Sequence, residues 1–143
     1  MPVVEKSQMQ FIKEFIETCN LLKNGKVNVD YLNNKQYSYS IDKVPVNPIY
    51  KKYRDGGSIK QIAFDFSITL PLTNVALYNL INSKFCEDFM SWIETQNNNR
   101  NLPNIPGVRS IECTSPGYVL QKSETTAIYI IQMNCKYYED YRR

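Results

Sequence analysis

The sequence predicts an α+β fold, with a mainly antiparallel sheet and two principal helices packed on one face of it, as a single domain over residues 1–143. A chain of 143 residues that is 43% hydrophobic and 22% charged can bury a core of its own. Apolar residues recur at helical spacing in two segments and alternate strictly in two others. The order helix, strands, helix, strands is typical of α+β domains.

The first element is predicted to be a helix over residues 7–20. Ser7 followed by Gln10 fits a capping box, in which the Ser7 side chain covers the amide of the third helical residue. The turn residues Asn24-Gly25 end the element. The apolar positions that follow helical spacing are Ile12, Phe15, Ile16 and Cys19.

Two short strands are predicted next, over residues 27–31 and 37–41. Apolar and polar side chains alternate in both segments, and the turn-like 33–35 lies between them. This arrangement predicts an antiparallel pair whose apolar residues share one face. Prolines at 45 and 48 then make residues 44–48 an extended connector, because proline donates no ladder hydrogen bond.

A polar and basic loop is predicted over residues 50–60, with its reversal at Asp55-Gly56-Gly57-Ser58. The strictly alternating segment 62–70 follows and is the strongest strand signal of the chain. One face of this strand is expected to be buried, and the other to be wet or to meet another subunit.

The second helix is predicted from Thr73 to about Gln96, with an apolar stripe formed by Tyr78, Ile81, Phe85, Phe89, Trp92 and Ile93. We expect Phe85, Phe89 and Trp92 to pack on the strand face of Ile62, Phe64 and Phe66. After a proline-containing linker at 102–107, strands are predicted at 108–114, 118–122 and 126–138.

Composition argues against an enzyme. The chain has no histidine, so imidazole bases, histidine-dependent triads and most zinc sites are excluded. Its four cysteines are widely spaced and are expected to be reduced, buried and free of metal. Nucleotide and metal-binding motifs are missing, so we expect no catalytic residue and no cofactor. Neither a signal peptide nor a membrane span is expected, which predicts a cytosolic protein with no membrane partner.

Basic charge is concentrated in residues 23–60, which carry eight basic and three acidic side chains. Residues 50–54 interleave tyrosine with lysine and arginine, a composition that suits phosphate and stacking contacts or a protein interface. A solvated loop is the plainer interpretation. The candidate interface residues are Tyr50, Lys51, Lys52, Tyr53, Arg54, Lys60, Tyr138 and Tyr141.

The order of features resembles a family of small phage and prophage proteins, often labelled minor capsid proteins, from the head-to-tail joining region of tailed phages of Gram-positive bacteria. The resemblance is carried by MQFIKEFIETC, VPVNPIYKKYRDGGSIKQIAFDF, FCEDFMSWIETQ, NLPNIPG and SIECTSPGYVLQKSETTAIYIIQMNCKYYED. Its most distinctive pieces are Pro48 with Asp55-Gly56-Gly57-Ser58, and the turn Thr114-Ser115-Pro116-Gly117-Tyr118.

The resemblance implies a tail terminator, or tail-completion protein. Such a subunit forms a ring, usually a hexamer, that caps the tail tube and offers a docking surface to the head connector, with DNA passing transiently through its lumen. It would be found in the host cytoplasm during assembly and then in the virion. A head-completion stopper or adaptor, a monomeric module that binds nucleic acid or protein, and an enzyme without a visible motif remain as alternatives.

Overall fold

The computed structural model describes residues 7–23, 25–33, 35–72 and 76–140. Its elements are α1 (Gln8–Glu17), β1 (Val27–Val29), β2 (Ser38–Val44), β3 (Ile49–Lys52), β4 (Ser58–Pro71), α2 (Ala76–Asn98), β5 (Val108–Cys113), β6 (Tyr118–Lys122) and β7 (Thr126–Glu139). All strands belong to one sheet, and all its pairings but one are antiparallel. The predicted α+β class is confirmed. Within the described residues, no helix is long and apolar enough to cross a membrane.

The long strands β4 and β7 form the centre of the sheet. They pair along their whole length, from Ser58 opposite Glu139 to Pro71 opposite Thr126. The other edge of β4 pairs with β3 at one end and with β2 at the other, and β1 lies outside β2. The other edge of β7 pairs with β5 and β6 in the same divided way. The β3 edge and the β5–β6 edge therefore lie on opposite sides of the sheet.

The predicted direction of the first strand pair is wrong. β1 runs parallel to β2, with Val27 opposite Tyr39 and Val29 opposite Ile41. Alternation has the same period in both directions, so the pattern predicted the strands but could not fix their relative direction. Two parallel strands cannot be joined by a tight hairpin, so the segment between β1 and β2 is a longer connection. Within it, Tyr31, which was predicted on the buried face, is exposed.

The helices pack on one face of the sheet, as predicted. Alternate residues of β4 and β7 are buried there, including Phe64, Phe66 and Ile131. Phe89 of α2 is 0% exposed and stacks on Phe66, with ring centroids 4.4 Å apart. The Ser7 cap of α1 is also confirmed, because its Oγ accepts a hydrogen bond of 3.2 Å from the Gln10 amide.

Phe85 and Trp92, the other two α2 residues of the predicted contact, also meet neighbours that were not predicted. The ring of Phe85 lies 6.3 Å from Tyr39 of β2, and that of Trp92 lies 5.3 Å from Phe15 of α1. The reason is that α1 packs over β1 and β2, beside α2, so part of the α2 stripe contacts that region. Helical periodicity predicts which side of α2 is apolar but not the neighbour that it meets.

The first turn of the predicted stripe is also misplaced. Ile81 is 52% exposed, whereas Asn82 and Cys86 are buried. The Asn82 amide donates to the Pro71 carbonyl oxygen at 2.5 Å, so this buried polar group is satisfied by the end of β4. The predicted helix start at 73–75 and the side chain of Tyr78 lie outside the described residues.

The second face of the sheet is only partly open. Ser67 and Thr69 of β4 are buried because the segment between β1 and β2 covers them. The Thr69 hydroxyl donates to the Asn33 carbonyl oxygen at 2.9 Å, and the Tyr31 amide donates to Ser40 Oγ at 3.2 Å. The end of this face nearest β3 remains exposed, and Tyr50, Lys51, Tyr53 and Tyr138 of the candidate interface lie there.

Candidate functional site

The predicted loop over residues 50–60 is a β-hairpin. β3 pairs with Ser58–Lys60 of β4, so only residues 53–57 form the turn. Gly56 has a φ of +94°, as predicted for the reversal, and Asp55 Oδ1 accepts from the Gly57 amide at 3.0 Å. The predicted loop was too long because the basic side chains of β3 are typical of a loop. The backbone of β3 nevertheless pairs with β4.

The hairpin is fixed to the sheet and is not a free arm. Residues 58–60 pair with β3 on one side and with the end of β7 on the other. Lys60 Nζ lies 2.8 Å from Glu139 Oε1 of β7. Gly57 lies directly against the Tyr138 ring, where a Cβ atom would clash. The hairpin therefore presents its side chains in a preorganised position.

The side chains at this end of the second face alternate cations and tyrosines, and we call Lys51, Tyr53, Tyr138, Arg109, Tyr50 and Lys136 the cation–tyrosine cluster. Arg109 lies 5.4 Å from the centre of the Tyr138 ring, and the Tyr138 and Tyr53 rings are 6.3 Å apart. Lys51 Nζ lies 5.2 Å from the Tyr53 ring, and Lys136 Nζ lies 4.0 Å from the Tyr50 ring. Each exposed cation–π contact contributes about 0.5–1 kcal/mol.

The structure brings together most of the predicted interface residues. Tyr50, Lys51, Tyr53 and Tyr138 are in the cluster, and Lys60 lies beside it through its ion pair with Glu139. Lys52 and Arg54 are exposed on the hairpin. Tyr141 lies outside the described residues.

Two members of the cluster were missed from the sequence, Arg109 and Lys136. Lys136 is two residues before Tyr138, so strand alternation places both on one face and could have indicated it. Arg109 had no local signal, because its position depends on the pairing of β5 with β7 and on an irregularity in that ladder between Val108 and Ser110.

Tyr138 stays a neutral phenol in this cluster. Loss of hydration, followed by the carboxylates of Asp55 and Asp140, raises the pKa of Tyr138. The phenol can therefore donate a hydrogen bond at neutral pH, and its ring can stack on a ligand or a partner. Tyrosine with arginine is also the composition that is enriched in protein interfaces.

A second exposed surface lies on the opposite edge of the sheet, at β6. All five residues of this strand are exposed, and the apolar side chain of Leu120 is 59% accessible to solvent. Among the described residues, β6 pairs only with β7, so its outer backbone groups face solvent. An exposed apolar edge strand is a site at which another chain can pair.

An acidic groove lies on the same side of the molecule, between α2 and β5. It has a volume of about 510 Å³, the exposed glutamates Glu87 and Glu94 of α2 lie along it, and Met90 and Cys113 contribute apolar surface. Asn97 Oδ1 accepts from the Ile111 amide at 3.1 Å, which holds the end of α2 against β5. In the part of the chain that the structure describes, no group of three or more His, Cys, Asp or Glu side chains is placed to hold a metal ion.

The cysteines are packing residues. Cys19, Cys86 and Cys135 are buried as predicted, and Cys113 is half-buried beside the acidic groove. Burial raises the pKa of Cys113 and of Cys135 to about 12. Both side chains are therefore thiols at neutral pH, and a thiol is a poor nucleophile compared with a thiolate.

No model of a protein family matches this chain. No curated protein matches its sequence.

Proposed function

We propose that this chain is a virion structural protein, a tail terminator or tail-completion subunit that forms a ring on the tail tube of a phage or prophage and joins it to the head connector. The proposal of a ring is supported by two chemically different exposed surfaces, which lie on opposite edges of one sheet. One is the basic, tyrosine-rich hairpin that β3 forms with the start of β4. The other is the β6 edge together with the acidic groove between α2 and β5.

A ring needs this kind of asymmetry. When one patch of a subunit binds a different patch of the next, each contact leaves a free patch at both ends of the growing assembly. The assembly closes into a ring where the rotation between subunits permits it. A twofold dimer buries both contacting patches within one interface, whereas here the two unlike surfaces lie on opposite edges of the sheet, which favours the ring.

The place of the ring at the head-tail junction is supported by the sequence resemblance alone. Tail tube protein, head connector proteins and transient DNA in the lumen are its expected partners, and a hexamer is the expected ring. The stopper and adaptor of the same junction are the neighbouring roles, since a small ring subunit also suits them.

The mass in solution tests this proposal. Light scattering on the purified protein across a range of concentrations should give a discrete assembly of about six times the 16.7 kDa chain, either alone or after addition of tail tubes. A species of 16.7 kDa at every concentration that also fails to bind tubes would contradict the proposal.

One observation favours a second candidate, a monomeric module that binds single-stranded nucleic acid. The cation–tyrosine cluster presents rings for stacking next to cations that can meet phosphates. Titration of a labelled oligonucleotide at increasing salt tests it. Binding by a monomer that weakens steeply with salt supports this candidate, whereas a ring without oligonucleotide affinity argues against it.

A further inference from the structure

We infer that the β3–β4 hairpin of one copy docks into the groove between α2 and β5 of the next copy, as the contact that builds the ring. The occupant of the groove is thus a second copy of this chain. The inference rests on the proposed ring and adds to it the two surfaces that meet.

Charge complementarity selects this pairing. The hairpin carries Lys51, Lys52 and Arg54 against the single carboxylate of Asp55, and all four side chains are exposed. The groove has two exposed carboxylates, those of Glu87 and Glu94, and the nearest lysine on α2, Lys84, pairs with Asp88 at 2.8 Å. A cationic hairpin and an anionic groove attract each other during approach and fix the register of the contact.

The apolar surfaces are complementary as well. Tyr53 is 40% exposed and Tyr50 is 57% exposed, so both rings have surface left to bury. The groove offers the half-buried side chains of Met90 and Cys113, and its volume is about 510 Å³. A tyrosine held between charged neighbours is a frequent centre of binding energy.

The fold makes the contact intermolecular. β3 and the α2–β5 groove are separated by the central strands β4 and β7, so one subunit cannot fill its own groove. The hairpin is already ordered by its pairing with β4 and by the packing of Gly57 against Tyr138. Little conformational entropy is therefore lost on docking, and more of the contact energy appears as affinity.

Charge reversal with rescue tests the inference. The hairpin variant replaces Lys51, Lys52 and Arg54 with glutamate, and the groove variant replaces Glu87 and Glu94 with lysine. We expect each variant alone to lose self-association at least tenfold, because like charges then face each other. A mixture of equal amounts of the two should assemble again, since each hairpin then meets a groove of opposite charge. A chain that carries all five changes should assemble alone.

A matched control reverses Lys26, Lys35 and Lys43, three exposed lysines around β1 and β2. It makes the same change in net charge as the hairpin variant and should leave assembly unchanged. If either variant is unfolded by circular dichroism, the single changes Lys52→Glu and Glu94→Lys replace them, with the same expected loss and the same rescue on mixing.

The outcomes separate the two proposals. If wild-type rings form and the groove variant still assembles normally, the hairpin does not bind the groove and the inference is wrong, while the ring stands. Loss in both variants without rescue on mixing also overturns it, because the two surfaces then have different partners. A wild-type protein that never assembles contradicts the ring itself.

Discussion

The two faces of the central strands β4 and β7 contrast sharply at their hairpin end, although both belong to the same ladder. On the face under α2, alternate side chains such as Ile62 and Cys135 are buried, and Phe66 stacks on Phe89. On the other face, this end of the sheet presents cations and tyrosines, among them Lys136 and Tyr138. Burial of apolar area supplies most of the folding free energy, whereas exposed charges supply little. The exposed end is therefore the part of the sheet that can be used for contact with other molecules without much cost in stability.

Loss of the Phe89 ring from the buried face should have the largest effect on stability. Phe89→Ala leaves a cavity against Phe66 at the centre of the core and should lower the free energy of unfolding by about 3–5 kcal/mol. Urea denaturation measures it. Leu80→Ala, on the same helix at a side chain that is 66% exposed, is the control and should change stability by less than about 0.5 kcal/mol. Equal midpoints for the two variants would mean that α2 is misplaced.

Substitution of Gly107, at the exposed end of the sheet, should have the next largest effect on stability. Gly107 has a φ of +79°, and a Cβ there would overlap the Tyr138 backbone carbonyl. Gly107→Ala should lower the free energy of unfolding by about 1–3 kcal/mol, from strain and from displacement of β7.

The control for that change is Gly25→Ala. Gly25 has a similar φ of +65° but has open space around its Cβ position. Its substitution should cost only the conformational part, about 1 kcal/mol. Thermal or urea unfolding of the pair separates backbone conformation from close approach, and equal losses would show that β7 does not crowd Gly107.

The hairpin variant with Lys51, Lys52 and Arg54 changed to glutamate should remain folded. These side chains are exposed, and exposed charge contacts contribute only about 0.2–1 kcal/mol each. We expect its unfolding midpoint to stay close to wild type while ring formation or attachment to tails is impaired. Normal completion of tails by this variant at physiological salt would mean that the hairpin is only a solvated surface.

Asp65 offers the smallest effect, and it depends on pH. Partial burial, followed by the carboxylate of its ladder partner Asp42, raises the pKa of Asp65. A raised pKa in the folded state means that the ionised carboxylate destabilises the fold at neutral pH. Asp65→Asn should therefore raise the melting temperature at pH 7.

This gain should shrink as the pH falls through the raised pKa of Asp65, and it should vanish below about 4, the usual aspartate pKa. Glu124→Gln, which removes an exposed carboxylate near the β6–β7 turn, serves as the control. A gain that is independent of pH would show that the carboxyl charge is not its cause.

The sequence predicted the helices and strands better than it predicted how they pair and pack. Alternation over 62–70 and 126–138 placed the central strands within a few residues, and it predicted which of their faces is buried. The direction of β1 could not be predicted, because a period of two carries no direction. The burial of Asn82 in place of Ile81 depends on a hydrogen bond to the end of β4, which no periodicity contains.

The candidate site was predicted in part for the same reason. Tyrosine and lysine in residues 50–54 marked the hairpin by composition, and that signal is local. Arg109 joins the cluster only through the β5–β7 ladder. The acidic groove is bounded by α2 and β5, which are distant in sequence, so it becomes visible only when the helix is placed beside the strand.

Negative-stain electron microscopy of the purified protein mixed with tail tubes shows directly whether the exposed end of the sheet is the assembly surface. We expect rings on one end of each tube, and their absence when Lys51, Lys52 and Arg54 are changed to glutamate, while that variant keeps a wild-type circular dichroism spectrum. Bare tube ends with the folded wild-type protein, or rings that persist in the variant, would contradict the claim that the exposed end of the sheet is the assembly surface.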